Sequence, residues 1–331
     1  MLDWKSIKRY WTKRALAQPD GVVGLARYEE GVAICHGILN SDGQWTITDA
    51  DFEEVVEEED QIAFVQKWVR EHSLQSADCH FVLSTKEYEL LLLEAPPVED
   101  SELLDAALWR VKDLIKNPIE EMAVDVMRLP TDAYRGRQNM IYAVAAKKTD
   151  IKANVKFIKR CDLIPAAIDI PEMCWRNLLS YIDDAEVASV ATLSLRRSSG
   201  IMVIYSHHAM YLTRQIEMGI KNFETNEPGS YDMDNGVLID RLSLDIQRSL
   251  DYYESQVGKG IVKRIYFLPT TNEHINIIDD LKSYVQTTIE PFNIYESISV
   301  NFDKSLTSRE QAYCLPVIGS SMRMEEIHAA N

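Results

Sequence analysis

The chain has 331 residues, 46% hydrophobic and 26% charged, a globular balance with enough apolar side chains for a large core. Its 35 lysines and arginines stand against 52 acids, a net charge of -17, which argues against a nucleic-acid partner, because a phosphate backbone needs clustered cations to displace its counterions. No window reaches the roughly 18 apolar residues of a membrane-spanning helix, the first residues lack the apolar stretch of a secretory signal, and five scattered cysteines with no CxxC pair fit reduced, buried thiols in a cytoplasmic protein.

The opening stretch, MLDWKSIKRYWTKRA, is basic. Helical spacing brings Trp4, Ile7 and Trp11 together, with Lys5, Lys8, Arg9 and Lys13 around them. Two readings stand: a helix lying on an anionic membrane surface, or a terminal helix docked on its own domain with its cations snorkelling into water. GVVGLARYEEGVAICHGIL then predicts a β-hairpin turning at RYEEG. DADFEEVVEEED reads as a solvated acidic turn and helix start, leading into the helix QIAFVQKWVREH and a strand at CHFVLS.

Residues 86–170 form an alternating unit. Strand EYELLLLE precedes helix SELLDAALWRVKDLI, for which Ser101 is the expected N-cap. Strand MAVDVMRLP, a polar loop, strand MIYAVAAK, helix DIKANVKFIKRCD and strand AAIDI follow, an α/β pattern. After helix PEMCWRNLLSYI a second half begins near Asp184 with three strands in VASVATLSLRRSSGIMVIYSHHAMYLTRQIE. The polar ETNEPGSYDMDNG predicts a mobile loop. In LSLDIQRSLDYYESQ, Leu242, Ile246, Leu250 and Tyr253 make one apolar stripe, and Gly258 and Gly260 end the helix. Strand KRIYFL, loop PTTNE, helix HINIIDDLKSYV, strand IEPFNIYE and helix SREQAYCLPVIGSSMR complete the chain. Both halves open on a strand meander and run on into helices, the mark of a duplicated α/β fold around a cleft.

P-loop, nucleophile-elbow, zincin and dinucleotide motifs are all missing. His207-His208 falls in a hairpin turn, where adjacent side chains point apart, so a surface turn is favoured over a metal site. Cys35-His36 and Cys79-His80 read as buried packing, and Asp183-Asp184 as a loop pair.

LIKNPIEEMAVDVMRL with its Asp125, and VAAKKTDIKANVKFIKRCDLIPAAIDIPE with Leu163, Pro165 and Asp169 in place, are joined in collinear order by LTRQIEMG, LDIQRSLDYYESQ and VIGSSMR. In this order they resemble the actin-like PilM proteins of type IV pilus assembly, and most nearly the MshI type from mannose-sensitive haemagglutinin (MSHA) pilus systems. The resemblance covers nearly the whole chain. It implies an α/β, two-domain actin-like fold over residues 1–184 and 185–331, with an inserted subdomain at about 86–160. Nucleotide-binding members hold ATP and magnesium with two Asp-x-Gly hairpins and a Gly-Gly turn, whose bare backbones approach phosphate and adenosine. Here Ala26-Arg27-Tyr28, Ser194-Leu195-Arg196 and Leu268-Pro269-Thr270 stand at those positions, Ala33 falls near the family's lysine, and Asn276 replaces a later glycine. Bulk displaces phosphate, proline removes a donor, and without an acid to hold magnesium the hydrolytic chemistry has no metal. Arg27, Arg196 and Arg197 could still meet an anion directly.

The resemblance therefore implies a non-catalytic cytoplasmic scaffold, peripheral at the inner membrane and using no cofactor. It would grip the cytoplasmic N-terminal peptide of a PilN-like bitopic membrane protein and could adjoin the assembly motor. Tyr88, Leu90, Leu92 and Trp109 are the candidate groove residues. Two alternatives remain at this level: an ATP-binding assembly ATPase of the same fold, and the cytoplasmic domain of a type II secretion platform protein of the GspL kind.

Overall fold

A computed structural model describes residues 19–134, 139–182, 188–224, 233–272, 277–302 and 304–323. The expectations for the basic opening stretch (Trp4, Lys5, Lys8, Arg9, Trp11 and Lys13), for Asp183-Asp184, for Asn276 and for most of the 224–236 loop fall outside these residues.

Strands β1 (Val22–Arg27) and β2 (Val32–Leu39) form the expected hairpin, and β3 (Trp45–Glu53) pairs with the far side of β2. Residues 49–53 are thus strand rather than the acidic turn read from the sequence. The cause is a bulge: His36 faces Asp49 while the next residue, Gly37, faces Ile47, so Thr48 is extra. Trp45 and Ile47 are buried before the bulge, Ala50 and Phe52 after it, and the phase change hides the alternation.

Helix α1 (Glu58–Glu71) carries three acids in its first turn and leads to β4 (Asp78–Val82), parallel to β1. Then β5 (Tyr88–Glu94), α2 (Asp100–Lys112), β6 (Met122–Arg128) and β7 (Met140–Lys147) build a separate antiparallel sheet in the order β5-β7-β6. Glu99, not Ser101, occupies the N-cap of α2, and no side chain caps it. Helix α3 (Lys148–Arg160), β8 (Ile164–Asp169) beside β4, and α4 (Pro171–Leu179) complete this part.

The second half comprises β9 (Ser189–Leu195), β10 (Gly200–Ser206), β11 (Ala209–Ile216), α5 (Met233–Tyr252), β12 (Val262–Phe267), α6 (Ile278–Tyr284) and β13 (Thr288–Pro291). The Leu242, Ile246, Leu250 and Tyr253 stripe of α5 is buried, and the helix ends through a π turn at Gly258 in the left-handed region. The last expected strand stops at Pro291. A short helix α7 (Ile294–Ser297) and strand β14 (Ser299–Val300) follow, then α8 (Ser308–Ser321).

Two sheets share one topology, β3-β2-β1-β4-β8 and β11-β10-β9-β12-β13: a three-strand meander followed by two parallel strands. The duplication suspected from the sequence is therefore present in the strand order. The chain's end returns to the first sheet, where β14 extends the β3 edge and α8 packs on β1, β2, β4 and α4. Glycines permit this close approach. A Cβ on Gly24 would lie 2.1 Å from the Val317 carbonyl oxygen, and one on Gly319 would lie 2.1 Å from that of Cys174. His80 Nδ1 at 2.7 Å from the Ser320 carbonyl and Asn177 donating to the Gly319 carbonyl at 2.9 Å fix the helix end. Among the described residues no helix is long and apolar enough to cross a membrane.

Candidate functional site: the cleft between the two sheets

Equivalent hairpin turns of the two sheets, Tyr28–Gly31 and Leu195–Gly200, face a common cavity of about 620 Å³. The β12 end at Leu268 and Pro269, the loop Ser84–Lys86, Trp175 of α4 and the first half of α8 complete its walls. Sequence reading thus located three of the walls. Tyr28, Ser194, Arg196, Leu268 and Pro269 border the cavity. Ala26 does not: it is core, paired with Ala33 beneath the first turn. Thr270 is also buried, its hydroxyl donating to the Asn272 carbonyl at 3.0 Å.

Strand alternation decides what each hairpin presents. Tyr28 follows Ala26 on the cleft side, and Arg27 goes to the other. There its guanidinium meets Glu58 at 3.0 Å, donates to Gln61 at 2.9 Å and lies 4.3 Å from the Phe157 ring centre. Arg27 is therefore withdrawn as an anion ligand of the cleft.

Tyr28 is fastened to α8. Its hydroxyl donates to the Tyr313 carbonyl at 2.9 Å and its ring lies 4.8 Å from that of Tyr313, which stacks on Phe52 at 4.0 Å. Burial raises the Tyr28 phenol far above its usual range, with Arg196 opposing the shift. The first amide of each turn is used internally: Tyr28 N–H donates to the Gly31 carbonyl at 2.8 Å and Arg196 N–H to that of Ser199 at 2.9 Å. The Arg196 and Arg197 carbonyls accept from the amides of Ile220 and Lys221, with Gly219 tucked beneath the turn.

Most cleft charges have partners: Lys86 with Glu29 at 2.5 Å, Arg309 with Glu54, and Glu224 accepting from Asn272. The Lys86–Glu29 pair is exposed on both sides and contributes little stability. No cluster of three or more histidine, cysteine or carboxylate side chains that could hold a metal ion is found among the described residues.

Sequence reading missed Glu172. It sits in the first turn of α4, 3% exposed, and accepts from the Tyr88 hydroxyl at 2.6 Å. Burial raises its carboxyl above the usual range, and the Tyr88 hydrogen bond opposes that. Nothing in a PE dipeptide at a helix start signals burial; the covering residues come from β5 and β10.

The four groove candidates do not converge. Tyr88, Leu90 and Leu92 lie on the face of the β5-β7-β6 sheet that packs toward the main core. Leu91 and Leu93 face the other way, in the cluster that Leu103, Ala107 and Val111 of α2 complete. Trp109 is on α2 and 75% exposed, so the sheet separates it from the other three. His207 and His208 form the exposed β10–β11 turn, both at positive φ, as expected. Cys35 and Cys79 are buried in different clusters, so the two Cys-His pairs do not meet.

No family model matches this sequence, and no curated protein matches it. Solved structures do. The PilM–PilN type IV pilus biogenesis complex superposes with a TM-score of 0.68 at 16% identity, covering 91% of this chain and 97% of that one. The cytoplasmic domain of EpsL, an inner membrane component of the Vibrio cholerae type II secretion system, gives 0.49 at 12% identity over 84% and 92%. A Bacteroides thetaiotaomicron protein of actin-like ATPase fold and unknown function gives 0.47 at 9% over 82% and 90%. The chain thus has the actin-like fold that its sequence led us to expect, and in fold it is similar to PilM.

Proposed function

We propose that this chain is a non-catalytic scaffold of a type IV pilus assembly platform of the MSHA kind, holding the cytoplasmic N-terminal tail of a PilN-like membrane protein. The observation that carries the proposal is the full-length similarity to the PilM–PilN complex, which leaves no large part of either chain over. The side chains on the cleft walls support the non-catalytic reading: Tyr28 occupies the first hairpin, and Leu268 and Pro269 the third wall. The scaffold works at the inner face of the membrane, near the assembly motor, and the basic stretch at residues 1–16 assists by touching anionic lipid.

The tail binds as an extended peptide between the inserted sheet and the first lobe, through backbone pairing and apolar pockets. Fluorescence anisotropy with the N-terminal peptide of the PilN-like protein from the same genome tests this, and saturable binding is expected. Calorimetry with ATP and magnesium on the same sample is expected to show no heat of binding. Tight, metal-dependent ATP binding would overturn the non-catalytic reading, and an inert peptide would overturn the scaffold. Removing residues 1–16 is expected to reduce flotation with anionic liposomes while leaving the melting temperature unchanged; undiminished flotation would remove the lipid role.

A further inference from the structure

Strand β11 is an edge of the second sheet. Edge strands carry an open row of backbone donors and acceptors, which proteins commonly cover or blunt. Here one stretch is covered by a side chain. The Tyr142 hydroxyl, from β7 of the inserted sheet, accepts from Thr213 N–H at 3.2 Å and donates to the Tyr211 carbonyl at 3.4 Å. Since antiparallel strands alternate inward and outward groups, Gln215 shares the outward parity of Thr213.

Beyond Tyr142 the edge opens into a second cavity of about 510 Å³, between Arg214–Glu217 and the outer face of α5. Helical spacing puts Arg241, Leu244 and Arg248 on one stripe of that face, and Leu244 is 49% exposed. Val237, 66% exposed, extends the stripe by one turn. Arg214 stands on the strand opposite, its guanidinium 4.5 Å from the Tyr252 ring centre. Three arginines so converge on one groove of a chain whose net charge is -17. Asp245 and Glu217 are the acids in the lining, and the contact of Asp245 with Arg248 is a long 3.8 Å.

We propose that this groove binds an extended acidic segment of a partner protein, which adds as a further strand to β11 and sets an apolar side chain on Leu244. A strand beside a helix is the geometry in which backbone pairing supplies affinity and side-chain pockets supply specificity. Guanidinium groups spaced along the helix select carboxylates. The site lies on the second lobe, beside Tyr142 of the inserted sheet, and does not depend on the pilus reading.

The test uses the full chain and two synthetic peptides of alternating pattern, Thr-Glu-Thr-Val-Thr-Glu-Thr and the same peptide with lysine in place of glutamate. The acidic peptide is expected to bind by fluorescence anisotropy and to slow amide exchange at Gln215. The lysine peptide is expected to bind at least about tenfold more weakly. Arg241→Glu with Arg248→Glu, both exposed and so compatible with folding, is expected to weaken the acidic peptide by about tenfold or more and to reverse the preference. An unaltered circular-dichroism melt keeps that reading clean, and Leu244→Lys serves as an independent second variant. Equal binding of both peptides, exchange protection elsewhere, or indifference to charge reversal would each overturn the proposal.

Discussion

At the scale of single residues, position in a strand or helix matters more than chemical type. Tyr28 and Arg196 stand at matching places in two equivalent hairpins and both border the cleft, whereas alternation sends Arg27, one residue earlier, to Glu58 and Gln61 on the far face. Glu172 shows what burial does to an ordinary carboxylate. The folded state holds its proton to higher pH than the unfolded chain does, so stability falls as pH rises from the ordinary carboxylate range through the raised folded value. Glu172→Gln keeps an acceptor for Tyr88 and has no proton to lose. Its melting temperature should exceed the parent's at about pH 8, with the gap closing towards about pH 4.5. A gap that stays constant across that range would show that no buried proton is involved. Tyr28→Phe removes a hydrogen bond to the Tyr313 carbonyl and should cost about 1 kcal/mol in urea denaturation. No loss at all would mean that the ring contacts alone hold the turn.

Among elements, those that stand out as apolar runs or as a regular helical stripe were legible. The strands of the β1–β2 hairpin and of the second meander are apolar runs between polar turns, and the buried stripe of α5 has a 3.6-residue period. Strand β3 escaped because a bulge at Thr48 shifts its apolar phase midway. The stretch after Pro291 escaped because apolar Ile294 and Ile298 are four apart and suit a short helix as well as a strand. Helix α8 is the element whose position depends most on missing side chains. Gly319→Ala would force a Cβ into the Cys174 carbonyl and should destabilise the fold by about 1–3 kcal/mol, read from the urea midpoint at unchanged slope. A neutral result would mean that α4 and α8 can separate freely. By contrast, Trp109→Ser on the open face of α2 should leave stability within about 0.5 kcal/mol. A larger loss would show that Trp109 is covered in solution.

For the whole molecule, the inserted sheet is the part that touches everything. Tyr88 reaches Glu172 of the first lobe, Tyr142 caps the β11 edge of the second, and Asp132 pairs with Lys259 beyond α5. Tyr142→Phe leaves the ring in the core and unplugs the edge. Amide exchange at Thr213 should accelerate by about tenfold or more while the global melting temperature falls only slightly. Unchanged exchange would mean that another group takes over the edge.

Sequence alone determined the class of this protein: an α/β chain whose two halves each open on strands and run on into helices. Those features are local, set by periodicity. Tertiary structure decided which face each residue shows, how Tyr28 locks onto Tyr313, why Trp109 parts from Leu90, and that α8 returns to the first lobe through Gly24 and Gly319. Each of these depends on which distant strand or helix lies opposite, and that partner is fixed by packing across hundreds of residues rather than by any neighbour in the chain.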